Sequence, residues 1–131
     1  MIFEVFANPA IKYYYFRFIH TPKSWNDAQM FCESLGGNLF VPKNLADNDE
    51  VAELAPGQTA LWIGATDKDS EGNWVDPNGN ELTFTHWYTE ASQPNNAGDC
   101  AIIDTRTEFI NINGAWWDED CSGKRPSICE F

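Results

Sequence analysis

Positive charge is scarce in this chain. Against 20 Asp and Glu residues there are 8 Lys and Arg, a net charge of −12. The phosphates of a nucleic acid would be repelled by that balance, and so would an anionic membrane surface, so neither is expected as a partner. No uninterrupted apolar run is long enough to span a bilayer. Histidine is limited to His20 and His86, and no Cys-x-x-Cys pair occurs, which removes zinc as the use of the cysteines. The start, Met1-Ile2-Phe3-Glu4, has neither the basic nor the apolar region of a signal peptide, and there is no Asn-x-Ser/Thr sequon. Repeats, low-complexity tracts and linkers are missing. So is any nucleophile–base motif, and an enzyme is not expected.

What remains fits one compact domain over residues 1–131. Hydrophobic residues make up 43% and aromatics 15%, enough for a real core, which excludes intrinsic disorder. Most of the carboxylates serve solubility, and some suit neutralisation by bound cations. Cys32, Cys100, Cys121 and Cys129 are an even number in a short chain and read as two disulfides, hence a secreted, extracellular protein. The start then reads as an added Met1 on a mature chain. Three pairings of the four cysteines are open on sequence grounds.

Along the chain, the aromatic stretch 11–19 reads as a strand. Ser24 is an N-cap, and Ala28, Phe31, Cys32 and Leu35 follow at helical spacing until Gly36-Gly37. Leu39-Phe40-Val41 is a short strand before Pro42. A second helix covers about Asn48 to Leu54 and closes at Pro56-Gly57; its acidic face (Asp47, Asp49, Glu50, Glu53) reads as solvated surface. Strands are expected at Leu61–Gly64, Asn73–Val75, around Ala101–Asp104, at Phe109–Ile112 and at Ser127–Glu130, and His86-Trp87-Tyr88 leads on a strand into a loop. Lys124, Arg125 and Pro126 form a turn before the last strand, and both histidines have surface or packing roles. Two early helices followed by strands and long loops make the class α+β. Long loops inside a compact domain are usually functional or disordered, and because these carry the acidic and amide residues they read as functional.

Two of those loops end in cysteine: Gln93-Pro94-Asn95-Asn96-Ala97-Gly98-Asp99-Cys100 and Trp116-Trp117-Asp118-Glu119-Asp120-Cys121. If those two cysteines pair, side-chain oxygens of Asp, Asn and Gln converge, which is the donor set of a hard cation such as calcium.

These landmarks, taken in order, spell a family. The Cys32-bearing first helix, the Trp62-Ile63-Gly64 strand, the Gln93-Pro94-Asn95 loop, Cys100, Trp116-x-Asp118-x-x-Cys121 and the closing Ile128-Cys129-Glu130 resemble the C-type lectin-like domain over residues 11–131, in its short, two-disulfide form. The resemblance implies two helices with antiparallel sheets and a long calcium-binding loop region, with bridges Cys32–Cys129 and Cys100–Cys121. In the chain-entropy model such bridges contribute roughly 4–5 and 3 kcal/mol. It also implies a calcium-dependent lectin whose ligand is carbohydrate: calcium is held by Gln93, Asn95 and Asp118, and sugar hydroxyls complete its shell. Two departures stand out. Trp117 occupies the place of an oxygen-bearing Asn, and the family's loop Glu is missing where Gly98 runs straight into Asp99. One carboxylate predicts weak binding there, unless Glu119, Asp120 or Asp104 substitutes. Trp116 reads as core, whereas Trp117 is either a sugar platform or cover for the neighbouring strand. Gln-Pro-Asn is a hybrid of the mannose-type and galactose-type triplets and sets no sugar preference. A second, structural calcium is implied at Asp67, Glu71, Asn96 and Asp99. The alternative function is recognition of a protein partner, or of an ice or mineral surface, without calcium-mediated sugar binding. A homodimer through the aromatic N-terminal strand is a further expectation.

Overall fold

The computed structural model describes residues 2–8, 12–55, 59–106 and 114–131, with side chains from residue 16 onward. Among the described residues, two helices and seven strands follow one another as β1 (Ile2–Asn8), β2 (Lys12–Lys23), α1 (Trp25–Ser34), β3 (Asn38–Leu39), α2 (Leu45–Leu54), β4 (Ala60–Thr66), β5 (Cys100–Asp104), β6 (Ala115–Glu119) and β7 (Arg125–Glu130), with one 3-10 turn at Thr89–Ala91. The strands form a single sheet in the order β1-β2-β7-β4-β5-β6, and β3 also pairs with β7. All pairings are antiparallel except β4 with β7, which meet in parallel at Trp62 and Ser127, so the sheet is mixed. Two helices with this mixed sheet give the expected α+β class.

Helix α1 begins where its cap predicts: Ser24 Oγ accepts the Asp27 N–H at 3.2 Å, which satisfies one of the free amides of the first turn. It stops at Gly36, whose φ of +93° favours a residue without a Cβ. Helix α2 starts three residues before the expected Asn48. Asn44 Oδ1 accepts the Asp47 N–H at 2.9 Å, and Asp47 Oδ2 accepts the Lys43 N–H at 3.1 Å. These bonds draw Asp47 to 4% exposure; of the acidic face, Asp49 and Glu53 are exposed and Asp47 is buried. The Asn73–Val75 strand is reduced to isolated bridges from Val75 to Thr66 and Glu81. Trp87 likewise bridges only Trp116, before the 3-10 turn. Arg125 and Pro126 belong to β7 and not to a turn, because Arg125 pairs with Lys23. The expected strand at 109–112 and the Pro56-Gly57 stop lie outside the described residues.

Strand β4 is buried on both faces, and it divides the core. Leu61, Ile63 and Ala65 join Phe16, Phe18, Phe40, Val51, Ile103, Trp116 and Ile128 on one side. On the other, Ala60 and Trp62 join Trp25, Ala28, Cys32, Leu39, Ile102 and the two bridges. Three buried indole donors are satisfied: Trp25 Nε1 gives to Ile63 O at 2.8 Å, Trp62 Nε1 to Lys23 O at 2.9 Å and Trp116 Nε1 to Asn48 Oδ1 at 2.8 Å; the buried Trp117 Nε1 has no partner among the described residues. Cys32–Cys129 ties α1 to β7 across 97 residues, and Cys100–Cys121 closes a shorter loop. The loops from Asp67 to Asp99 and the end of β6 meet above this second bridge.

Candidate functional site

Strand β4 delivers Asp67 to the start of a tight turn. The turn is stitched to the far loop by backbone: the Asp67 N–H donates to Asp99 O at 3.0 Å, and Thr66 Oγ1 donates to the same oxygen at 2.6 Å. Gly72 N–H donates to Asp67 Oδ2 at 2.8 Å and folds the turn back on itself. As a result Asp67, Glu71 and Asp99 each bring a carboxylate oxygen within 4.8 Å of the others. Asp67 is 2% exposed, and its Oδ1 is buried with no donor among the described residues. Burial first, then the neighbouring Glu71, pushes the Asp67 carboxyl above its usual 3.8, although the Gly72 N–H pulls the other way. Asp99 is also raised, by burial and then by Asp67, with Asp118 and Asp120 adding. Asn96, at φ +65°, lines the cleft beside Glu71 and Asp99. A buried acceptor without a donor, faced by two more carboxylates, fits a hard divalent cation taking several oxygens.

The Gln93–Asp99 loop is built differently. It opens with a cis Gln93–Pro94 peptide after Ser92 at φ +58°. Gln93 and Asp118 come together, 8% and 3% exposed, and Asn95 lies at the surface. Asp118 Oδ1 accepts the Asn95 N–H at 3.0 Å and Oδ2 the Gly98 N–H at 3.3 Å. Gln93 Oε1 accepts the Asp118 N–H at 3.2 Å, and Asn95 Oδ1 accepts the Ala97 N–H at 3.0 Å. Gly98 presses so closely on β6 that a Cβ there would stand 2.0 Å from the Glu119 carbonyl. Gln93, Asn95 and Asp118 therefore converge as the motif suggests, but each of their oxygens already holds a backbone donor. With one carboxylate and no oxygen from Trp117, this triad does not fit a calcium ion as it stands.

The other named residues separate. Trp116 is fully buried and belongs to the core. Trp117 is half-buried; its ring lies 5.2 Å from Tyr88 and packs on the core cluster around Trp62. Asp104 sits at the opposite end of β5, held by Arg106 at 2.9 and 2.6 Å, and Glu119 pairs with Arg125 at 3.0 Å. Asp120 does line the cleft, where its carboxylate accepts both the N–H and the hydroxyl of Ser122 and is held below the usual range. His86 stacks near Phe84, and His20 is exposed. Two neighbours escaped sequence reasoning. Lys68 lines the cleft, its ammonium 4.5 Å from the Trp25 ring and hydrogen-bonded to Asn26 Oδ1. Tyr88 was signalled only by its place in the aromatic run before the loop.

The family described as Lectin C-type domain matches residues 21–131. Mouse (Mus musculus) tetranectin is 35% identical over 117 residues, covering 84% of this chain and 55% of tetranectin. Lectin BRA-3 of Megabalanus rosa is 33% identical over 111 residues, covering 82% of this chain and 64% of that protein. The chain thus spans between half and two thirds of the length of these relatives. Among solved structures, the mouse scavenger receptor C-type lectin carbohydrate-recognition domain superposes with a TM-score of 0.79 at 26% identity, over 90% of this chain and 89% of that one.

Proposed function

The chain belongs to the C-type lectin domain family, and from that premise we propose that it is an extracellular glycan-binding domain whose loops are held by one calcium ion. The observation that carries the ion is the donor-free, buried Asp67 Oδ1 facing Glu71 and Asp99. Those three side chains would hold it, with Asn96 at the cleft wall. Bound there, calcium supplies the positive charge that this cluster lacks and joins the Asp67–Gly72 turn to the Gln93–Asp99 loop. The glycan face is the surface of that loop together with the Trp117–Tyr88 pair, since an aromatic ring suits the apolar face of a sugar, and the buried Asp118 supports the loop from beneath. Two disulfides support an oxidising, extracellular setting. Relatives whose names include a lectin and a carbohydrate-recognition domain support sugar as the ligand class.

A glycan array read with millimolar calcium and again with chelator tests this directly. Binding to a glycan class that weakens in chelator is expected. No glycan bound under either condition overturns the reading. A second reading, recognition of a protein, ice or mineral surface, is favoured by the backbone hydrogen bonds already held by the oxygens of Gln93, Asn95 and Asp118, and it is what a blank array would leave.

A further inference from the structure

We infer that Asp118 is a clasp for the 93–98 loop and not a metal ligand, so that the glycan face is shaped by hydrogen bonds and meets its ligand without a bridging ion. Four side-chain oxygens could serve a cation at this place, and all four accept backbone N–H groups. Asp118 takes Asn95 and Gly98 at 3.0 and 3.3 Å, while Gln93 takes Asp118 and Asn95 takes Ala97 at 3.2 and 3.0 Å. These bonds run both ways between loop and strand. The Asp118 carboxylate holds two loop amides, and the loop's Gln93 holds the Asp118 amide. Each N–H presents the positive end of its dipole to an oxygen that a cation would need, and hydrogen bonds to a charged carboxylate are the stronger kind.

Burial supports the same conclusion. Asp118 is 3% and Gln93 8% exposed, and the backbone contact of Gly98 with Glu119 shuts the loop against β6. The contrast with the neighbouring cleft is chemical. There, three carboxylates converge and Asp67 Oδ1 has no donor; here, a single carboxylate is fully engaged. Two adjacent constellations thus divide the work: one gathers three carboxylates around an acceptor without a donor, and the other holds one carboxylate whose two oxygens each accept an amide. The nature of the ligand rests on the glycan reading, but the clasp does not.

The test uses amide hydrogen exchange, followed by NMR on the full chain in chelator and then with calcium alone added. The amides of Asn95, Gly98 and Asp118 are expected to exchange at least roughly tenfold more slowly than exposed amides already in chelator, before any calcium is added. Equilibrium dialysis with calcium should find the same count of ions per chain in the wild type, Asp118→Asn and Asn95→Ala, and none in Asp67→Asn. Asn95→Ala removes an exposed would-be ligand at the loss of one local bond, so it covers the case in which Asp118→Asn does not fold. Amides that become protected only when calcium is added, or an ion lost in Asn95→Ala, overturn the clasp. Protected amides with no calcium bound by the wild type sustain the clasp and sink the Asp67 site. A blank glycan array sinks the lectin reading alone.

Discussion

Replacing Asp67 with Asn should have opposite effects on the chelated and the calcium-loaded protein. Asn keeps an oxygen for the Gly72 N–H, which is 2.8 Å from Asp67 Oδ2, so the turn retains its local bond. What goes is one of three negative charges whose oxygens lie within 4.8 Å of one another. In chelator those charges repel, and burial already makes ionisation of Asp67 unfavourable, so Asp67→Asn should melt at the same or a higher temperature than the wild type. In calcium the order reverses. An ion bound only by the folded state stabilises it by about 2.7 kcal/mol at a hundredfold excess over its Kd. For a domain of this length that corresponds to a rise of roughly 8–13 °C in Tm. The wild type should show this rise and Asp67→Asn should lose nearly all of it. Thermal unfolding by circular dichroism, with calcium titrated over three decades, reads both effects. A variant that keeps the full calcium-induced rise would refute the assignment of the ion to this cluster. A variant that melts well below the wild type in chelator would refute the claim that the cluster is repulsive when empty.

Two further predictions concern the scaffold. Burial pushes the Glu130 carboxyl above its usual 4.5; the Lys43 ammonium and the Val41 N–H pull the other way, and Asp47 and Asp76 add to the rise. A carboxyl raised in the folded state favours folding when protonated, so its contribution is fully present below 4.5 and is lost as pH rises through the folded value. Glu130→Gln, which keeps an acceptor for Val41, should therefore match the wild type near pH 4 and melt higher at pH 7; a lower Tm at pH 7 would contradict it. Asn48 is fully buried and joins α2 to β6 by donating to Gly114 O and accepting from Trp116 Nε1, both at 2.8 Å. Asn48→Ala should lose about 2–4 kcal/mol in urea unfolding, from two lost bonds and an orphaned buried indole N–H, and a loss under 1 kcal/mol would mean that the bridge is not formed in solution.

Local rules made most of the scaffold legible. Ser24 and Gly36 mark α1 because capping and positive φ are properties of single residues. Leu61–Gly64 reads as a buried strand because every position is apolar or glycine, and the chain indeed buries it on both faces. Elements that depend on distant partners were harder to see. Asp47 looks like one more surface acid in sequence, and only the fold of Lys43 and Asn44 onto it takes it inside. Strand β6 was hidden because Trp116 reads as core while Trp117 and Asp118 read as site candidates, and their pairing with Ile103, Ile102 and Ala101 is set by β5. Strand β1 owes its place to pairing with β2.

The loop site shows the same limit in sharper form. A motif gives the identity of donor atoms but not whether they are free. Gln93, Asn95 and Asp118 carry the oxygens of a metal site, and Asp67, Glu71 and Asp99 carry another set of similar kind. What separates them is where backbone amides point: toward every oxygen of the first set, and away from Asp67 Oδ1 in the second. Backbone direction depends on the close contact of Gly98 with Glu119 and on Ser92 and Asn96 at positive φ, which no spacing rule encodes. Lengthening the loop by one residue between Gly98 and Asp99 would release that contact and free the Asp118 carboxylate. The short loop and the doubly hydrogen-bonded Asp118 are therefore one feature of the chain.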